Sequence, residues 1–319
     1  MASILRGFKY LFTNRMQFCD SMVKNFLSFL PDKLYLSLRY RCIMGHSIDW
    51  EHPQTFSEKI QWLKVNHRHP KYTTIVDKYA VKDHVTSLIG AEYVIPTLGV
   101  WDTPEDIEWD TLPNQFVLKT THGGGGGGVI ICNDKGTFDK KHSIAKLINS
   151  LNQDIYLSLR EWPYKDVPRR IIAEQFIAPI KNVNADGLIE YDELLDYKFF
   201  CFNGKVKFYK VDFGRFIEHH ANYYSTDGQL LEFGEAEVAP DPSHKITLPH
   251  NINEMIALAE RLSSGEPFMR VDFYNIMGQI YFGEITLYPA SGLGKWTTPD
   301  ADKIIGSYLD ISELQKTYQ

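Results

Sequence analysis

The stretch DYKFFCFNGKVKFYKVDFGRF, residues 196–216, restricts the fold more than any other part of the chain. Two runs rich in aromatic and β-branched residues flank Asn203-Gly204. Both residues tolerate positive φ, so the dipeptide suits the two-residue turn whose twist matches that of paired strands. A second segment of the same kind, FMRVDFYNIMGQIYFGEITLYPASGL, turns near Met277-Gly278. Two hairpins exclude an all-helical bundle.

The rest of the chain supplies helices. Residues 1–70 read as mostly helical, with Leu34 and Leu38 in one pattern and FSEKIQWLKVN opening on Ser57 in a cap-like position. IVDKYAVKDHVTSLIG, residues 75–90, reads as one helix stopped by Gly90, and AEYVIPTLGVW as an extended segment. LPNQFVLKTTHGGGGGGVIICND reads as strand, glycine loop, strand, and RRIIAEQFIA as a buried strand. Residues 140–160 and IALAERLSSG read as helices, and residues 299–317 as a closing helix. This alternation excludes an all-β sandwich. The expectation is an α+β protein with largely antiparallel sheets.

Bulk properties narrow the function classes. With a net charge of −6, the chain as a whole is not a nucleic-acid binder by charge. Cys19, Cys42, Cys132 and Cys201 form no CxxC pair and no zinc spacing. They suggest a reducing compartment, hence a cytoplasmic protein. The first 30 residues place Leu5, Phe8, Phe12, Met16 and Cys19 at helical spacing, interrupted by charges. That pattern fits a helix packed on its own protein. It also fits one lying at the inner membrane face with its basic residues toward anionic lipid.

The chemistry concentrates in the second hairpin. Asp272 and Glu284 lie on opposite arms, each between apolar neighbours. Two carboxylates facing across a ladder repel unless a cation lies between them. A hard divalent ion such as Mg²⁺ would relieve that repulsion. Strand alternation places Arg270 on the same face as Asp272. An arginine and two carboxylates around Mg²⁺ suit phosphoryl transfer. The alternative is a surface hairpin with ordinary charges, against which the apolar flanks argue.

Upstream, Lys119 ends a strand and six glycines, Gly123 to Gly128, follow His122. The lysine comes before the glycines, unlike in a GxxxxGK[ST] loop. A strand–loop–strand lid over phosphates remains, beside a plain flexible turn. In AEQFI the backbone of Gln175 and Ile177 could meet an adenine edge, with Phe176 and Ile177 as apolar surface. Asp196 and Lys198 offer a carboxylate for a ribose hydroxyl and a cation for phosphate, or simply pair with each other.

In this order the motifs resemble those of the ATP-grasp superfamily. The narrower resemblance is to the TupA-like group of polysaccharide biosynthesis. It is carried by FSEKIQWLK, FVLKTTHGGGG, REWPYK, DYKFFCFNGK and RVDFYN…IYFGEITLYPASG, across roughly residues 55–295. The resemblance implies an ATP-grasp fold of two α+β lobes sandwiching ATP after a helical N-terminal region. The expected boundaries are 1–70, 71–174 with the lid, and 175–319 with the metal site. It also implies ATP- and Mg²⁺-dependent ligation of a carboxylate to an amine through an acylphosphate. Lys78 and Lys119 would contact phosphates, Glu174 to Ile177 adenine, and Asp196 the ribose. Asp272 and Glu284 would hold Mg²⁺, and Arg270 would stabilise the transferring group.

Two positions depart from the superfamily pattern. Thr286 stands where many members have asparagine as a ligand for a second Mg²⁺, and Asp196 where glutamate is common. For the TupA-like group the implied partners are a saccharide containing a uronic acid and an amino acid or amine. Candidate contacts for the saccharide are Arg160, Trp162, Tyr164, Lys165, Arg215, His219, His220 and Lys295. Other readings are a phosphotransferase that stops after phosphorylating its substrate, and a nucleotide-binding regulator of polysaccharide assembly. A glycosyltransferase would need a DxD signature. Only Asp300-Ala301-Asp302 offers one, outside any strand-end context.

Overall fold

A computed structural model describes residues 15–124, 127–184, 189–215, 217–298 and 300–318. Leu5, Phe8 and Phe12 of the expected N-terminal helix, and Gly125 and Gly126 of the glycine run, lie outside the described residues.

Two larger antiparallel sheets, a two-stranded one made of β5 (Ile180–Val183) and β6 (Ile189–Tyr191), and their helices make up the described residues. The larger is built from β7 (Asp196–Phe202), β8 (Lys205–Phe213), β9 (His220–Ser225), β10 (Phe268–Ile276) and β11 (Gln279–Thr286). Its strand order is β11-β10-β7-β8-β9. Both expected turns are present: Asn203 and Gly204 have φ of 49° and 74°, Met277 and Gly278 of 53° and 95°. One face of this sheet is apolar. Phe199, Cys201, Val211, Val271 and Phe273 share a core with Met255, Ala259 and Leu262 of an amphipathic helix, Ile252–Leu262. Because side chains alternate along a strand, the other face takes the intervening residues. That face carries Asp196, Lys198, Lys210, Asp212, Arg270 and Asp272.

The smaller sheet has the order β1-β4-β2-β3, from Thr97–Trp101, Ile171–Gln175, Phe116–Thr120 and Ile130–Cys132. Phe116, Leu118, Ile171 and Ala173 turn inward onto a core that includes Leu147 of the helix Lys140–Leu151. Lys119 and Glu174 therefore share the opposite face.

The N-terminal helices Arg15–Phe26 (α1), Asp32–Met44 (α2) and Phe56–Asn66 (α3) complete the frame. The start of α3 lies two residues before the expected one. Thr55 is the N-cap, in a capping box with Glu58, while Ser57 binds Asp302 instead.

The expected helix over residues 75–90 is two, Lys71–Val76 (α4) and Val81–Ile89 (α5). Asp77 interrupts it: its Oδ1 accepts from the amides of Tyr79 and Ala80, and its Oδ2 pairs with Arg170. Lys78 thus sits in a turn, not on a helix. The AEYVIPTLGVW segment is a 3-10 turn, Ala91–Tyr93, then β1. Pro96 precedes β1, has no amide to donate, and accepts from Gln175 instead. The closing helix is also two, Ala301–Tyr308 and Ser312–Thr317, separated where Asp310 accepts from the amide of Ser312.

Candidate functional site

The cleft between the two sheets gathers most of the charged residues singled out above. Asp272 and Glu284 are direct register partners across β10 and β11. The register shifts just beside them, where Gly283 adds an extra residue to β11. A Cβ on Gly283 would come within 3.1 Å of the Asp272 carbonyl, so glycine lets the bulge close.

Arg270 grips both carboxylates. Its Nε and Nη2 donate to Asp272 at 2.7 Å each, and Nη2 to Glu284 at 3.0 Å. Lys198 approaches from β7 and bridges Asp272 at 2.7 Å and Asp196 at 2.5 Å. From the first lobe, Lys78 Nζ lies 3.6 Å from Glu284 and donates to the carbonyl of Gly123 at 2.6 Å. Burial alone would raise the Glu284 pKa. Lys78, Arg270, Lys198 and Lys119 outweigh it and hold the carboxyl at about 2. Tyr274, on the same face, is pushed up to about 12 by burial.

Lys119 and Lys82 both pair with Glu174, at 2.5 and 2.7 Å. At Lys82 burial wins and lowers the pKa; at Lys119 the pull of Glu174 overcomes burial and raises it. The carboxyl of Glu174 thus faces the lysines, not an adenine edge. The Gln175 amide is already committed to Pro96. Of the expected hinge, the Ile177 backbone and the Phe176 and Ile177 surface are left, with the Phe176 ring 5.1 Å from that of Tyr191.

The ends of the glycine run pack tightly. A Cβ on Gly123 would lie 2.4 Å from Thr120 Oγ1, and one on Gly128 2.3 Å from Ser150 Oγ. Those two hydroxyls bond each other at 2.7 Å. Gly124 and Gly127 meet nothing within 4 Å. His122 is buried, and neither ring nitrogen has a hydrogen-bond partner. Burial lowers its pKa, so the ring is neutral at neutral pH.

A TupA-like ATP-grasp family model matches residues 58–310 of this chain. The chain belongs to that family. No curated protein matches it. Among solved structures, it is similar to D-alanine–D-alanine ligase from Bacillus anthracis complexed with ATP. The identity is 14% and the TM-score 0.41, over 77% of this chain and 64% of that one. It is also similar to the biotin carboxylase domain of Hydrogenobacter thermophilus 2-oxoglutarate carboxylase, at 15% identity and TM-score 0.39, over 77% and 45%. The chain thus spans less than two thirds of the solved structures it resembles here.

In this TupA-like ATP-grasp chain the expected saccharide contacts scatter. Arg215 reaches the charged sheet face, 2.9 Å from Asp196 and 3.3 Å from Asp212. His219 lies 3.5 Å from Asp212. Tyr164 is half-buried, and its hydroxyl is pushed up by burial and by the charges of Glu161 and Glu284. Trp162 is half-buried on the same 3-10 turn; Lys165 is exposed over the Tyr156 ring. Lys295 is exposed, and its carbonyl accepts from Ala236.

Two candidates point elsewhere. Arg160 is buried over the Tyr35 ring and paired with Asp32, so it ties the N-terminal helices to the REWPYK segment. His220 stacks on Phe213 and bonds the Ala239 carbonyl.

Sequence reasoning missed Lys210, Asp212 and Glu235. Lys210 Nζ lies 2.6 Å from Glu235 and 3.5 Å from Asp212. KFYKVDF alternates just as RVDF does, so the argument that found Asp272 would also have found Lys210 and Asp212. Glu235 follows β9 in a segment with no periodicity to read.

For Mg²⁺, no group of three or more His, Cys, Asp or Glu side chains suited to a metal occurs among the described residues. Asp272 and Glu284 still fit the ion, which is commonly held by one or two carboxylates with phosphate oxygens and water. Thr286 Oγ1, 3.5 Å from Glu284, is close enough to join them. No described helix is long and apolar enough to cross a membrane.

Proposed function

We propose that this chain is an ADP-forming, ATP- and Mg²⁺-dependent carboxylate–amine ligase. Its product would be an amide between an amino acid or amine and a uronic acid of a surface polysaccharide or its precursor, made in the cytoplasm. The observation that carries this reading is the convergence of Lys78 and Lys119 with Arg270, Asp272, Glu284 and Lys198 across one cleft.

The two lobes would close on the nucleotide, with the glycine run as lid and Phe176–Ile177 against the base. Asp272 and Glu284 would hold Mg²⁺, which would supply charge neutralisation of the phosphates. Lys119 from the smaller sheet and Lys198 from the larger bring further positive charge to the same cleft, fixed in place by Glu174, Asp196 and Asp272. Arg270, held by its two carboxylates, would stabilise the charge that develops during transfer. Arg215 and His219 stand at the far side of the same face, where an anionic sugar would approach.

The test is Lys119→Ala in the full chain. ATP turnover should fall by at least about a hundredfold, the scale of losing one preorganised charge contact. Unchanged turnover would contradict the site.

A further inference from the structure

The N-terminal hairpin of α1 and α2 uses one side of α1. Asp20 pairs with Arg39 of α2 at 2.6 Å, and Val23 and Leu27 pack with Tyr35 and Leu36. A second apolar stripe on the same helix faces solvent. Phe18, Met22 and Phe26 recur every fourth residue and so share a face, and Phe29 follows in the turn to α2. Their exposures are 42%, 42%, 64% and 78%.

Single exposed apolar residues are ordinary on a protein surface. Four along one helix and its exit turn, three of them phenylalanine, are not. At about 200 Å² for a whole phenylalanine side chain, the stripe exposes on the order of 400 Å². Patches of that size commonly mark an interaction surface.

The charges point to what covers it. Residues 1–34 hold Arg6, Lys9, Arg15, Lys24 and Lys33 against Asp20 and Asp32, a net +3. The whole chain carries −6, so the remainder carries −9. Both acids are neutralised by partners, Asp20 by Arg39 and Lys24, Asp32 by Arg68 and Arg160. No acidic residue precedes Asp20, and that stretch also carries Leu5, Phe8, Leu11 and Phe12.

We infer that this face docks on an anionic lipid bilayer, with α1 lying in the interface. A helix that combines phenylalanines with lysine and arginine gains apolar burial and charge attraction together on such a surface. The negative remainder of the chain is repelled by the same surface, which orients the molecule on it. A second copy of this chain fits worse, because two-fold pairing would set the +3 face against itself. The helix lies on the bilayer and does not cross it: α1 has 12 residues, and a span needs about 20. This inference does not depend on the ligase reading.

Flotation of the full chain at low salt, with phosphatidylglycerol vesicles and separately with phosphatidylcholine vesicles, tests this. The chain should bind the first and not the second, and added salt should weaken the binding. Phe26→Ser and Phe29→Ser together should weaken vesicle binding at least about tenfold. Both side chains are exposed, so the double variant should keep its circular dichroism and Tm. Failure to bind phosphatidylglycerol vesicles, equal binding to the two lipids, or equal binding by the double variant would overturn the inference. So would a dimer that the double variant dissolves without any vesicle binding, which would give the face to a second copy. The wild-type comparison needs no variant, so a misfolded double variant would not leave the matter open.

Discussion

At the scale of single residues, Glu174 is the pivot of the first lobe. Two lysines from different elements, Lys82 of α5 and Lys119 of β2, converge on its carboxylate. Burial alone would raise its pKa, but Lys119 and Lys82 together hold it below the ordinary 4.5. A carboxyl with a lowered folded pKa stabilises the fold above its unfolded pKa, and that contribution is lost as pH falls through the folded value. Stability should therefore decline below about pH 4.5. Glu174→Gln should cost about 3 kcal/mol at neutral pH, because it leaves buried lysines unpaired. It should also flatten the acid limb. Chemical denaturation across the pH range checks both, and an unchanged acid limb would contradict the assignment.

At the scale of elements, the 3-10 turn after β11 is built against local preference. Ala290 and Ser291 are both left-handed, at φ of 46° and 57°. The α3 helix holds them there. Gln61 donates to the Ser291 and Gly292 carbonyls, and Lys64 to the Ser291 carbonyl at 2.7 Å. This turn follows β11, the strand that carries Glu284, and Ala290 and Gly292 line a small cavity; strained backbone is often retained where it positions a ligand.

Ala290→Gly should remove roughly 1 kcal/mol of left-handed strain and leave Tm unchanged or higher. Gly292→Ala should destabilise by about 2 kcal/mol or more, since its φ is 64° and its Cβ would lie 2.6 Å from Ile60. Thermal unfolding of the two variants distinguishes a held turn from a loose one. A lower Tm for Ala290→Gly, or none lost by Gly292→Ala, would argue against it.

How much was legible follows from the same elements. Asp272 facing Glu284 could be read because a recognisable turn plus a period of two fixes a hairpin's register. The break at Asp77 could not, since a local side-chain cap and a pairing with Arg170 override a good helical pattern. Arg160 was misread because its partners, Asp32 and Tyr35, are remote in sequence. The strained turn was invisible, because neither Ala290 nor Ser291 signals positive φ. Glu235 was missed for want of any periodicity around it.

At the scale of the whole molecule, two antiparallel sheets present their charged faces to one cleft. The N-terminal helices support that arrangement from behind, through α3 at the turn and through Arg160 at the REWPYK segment. Three of the segments behind the family resemblance thus have a structural reason to occur together. FSEKIQWLK holds the turn that GEITLYPASG makes, and Arg160 of REWPYK pairs with Asp32 of the N-terminal helices. The described glycines of the run fall into two kinds. Gly123 and Gly128 are required by the Thr120–Ser150 contact, while Gly124 and Gly127 face open space.

The ligase reading requires all of these parts to act on one ATP molecule and one pair of substrates. The most direct measurement is product analysis by mass spectrometry, after incubating the protein with ATP, Mg²⁺ and a matrix of uronic acids and amino acids. The account predicts ADP, inorganic phosphate and one new amide in equal amounts, all dependent on Mg²⁺. AMP and pyrophosphate, or ADP without any amide across the matrix, would contradict it.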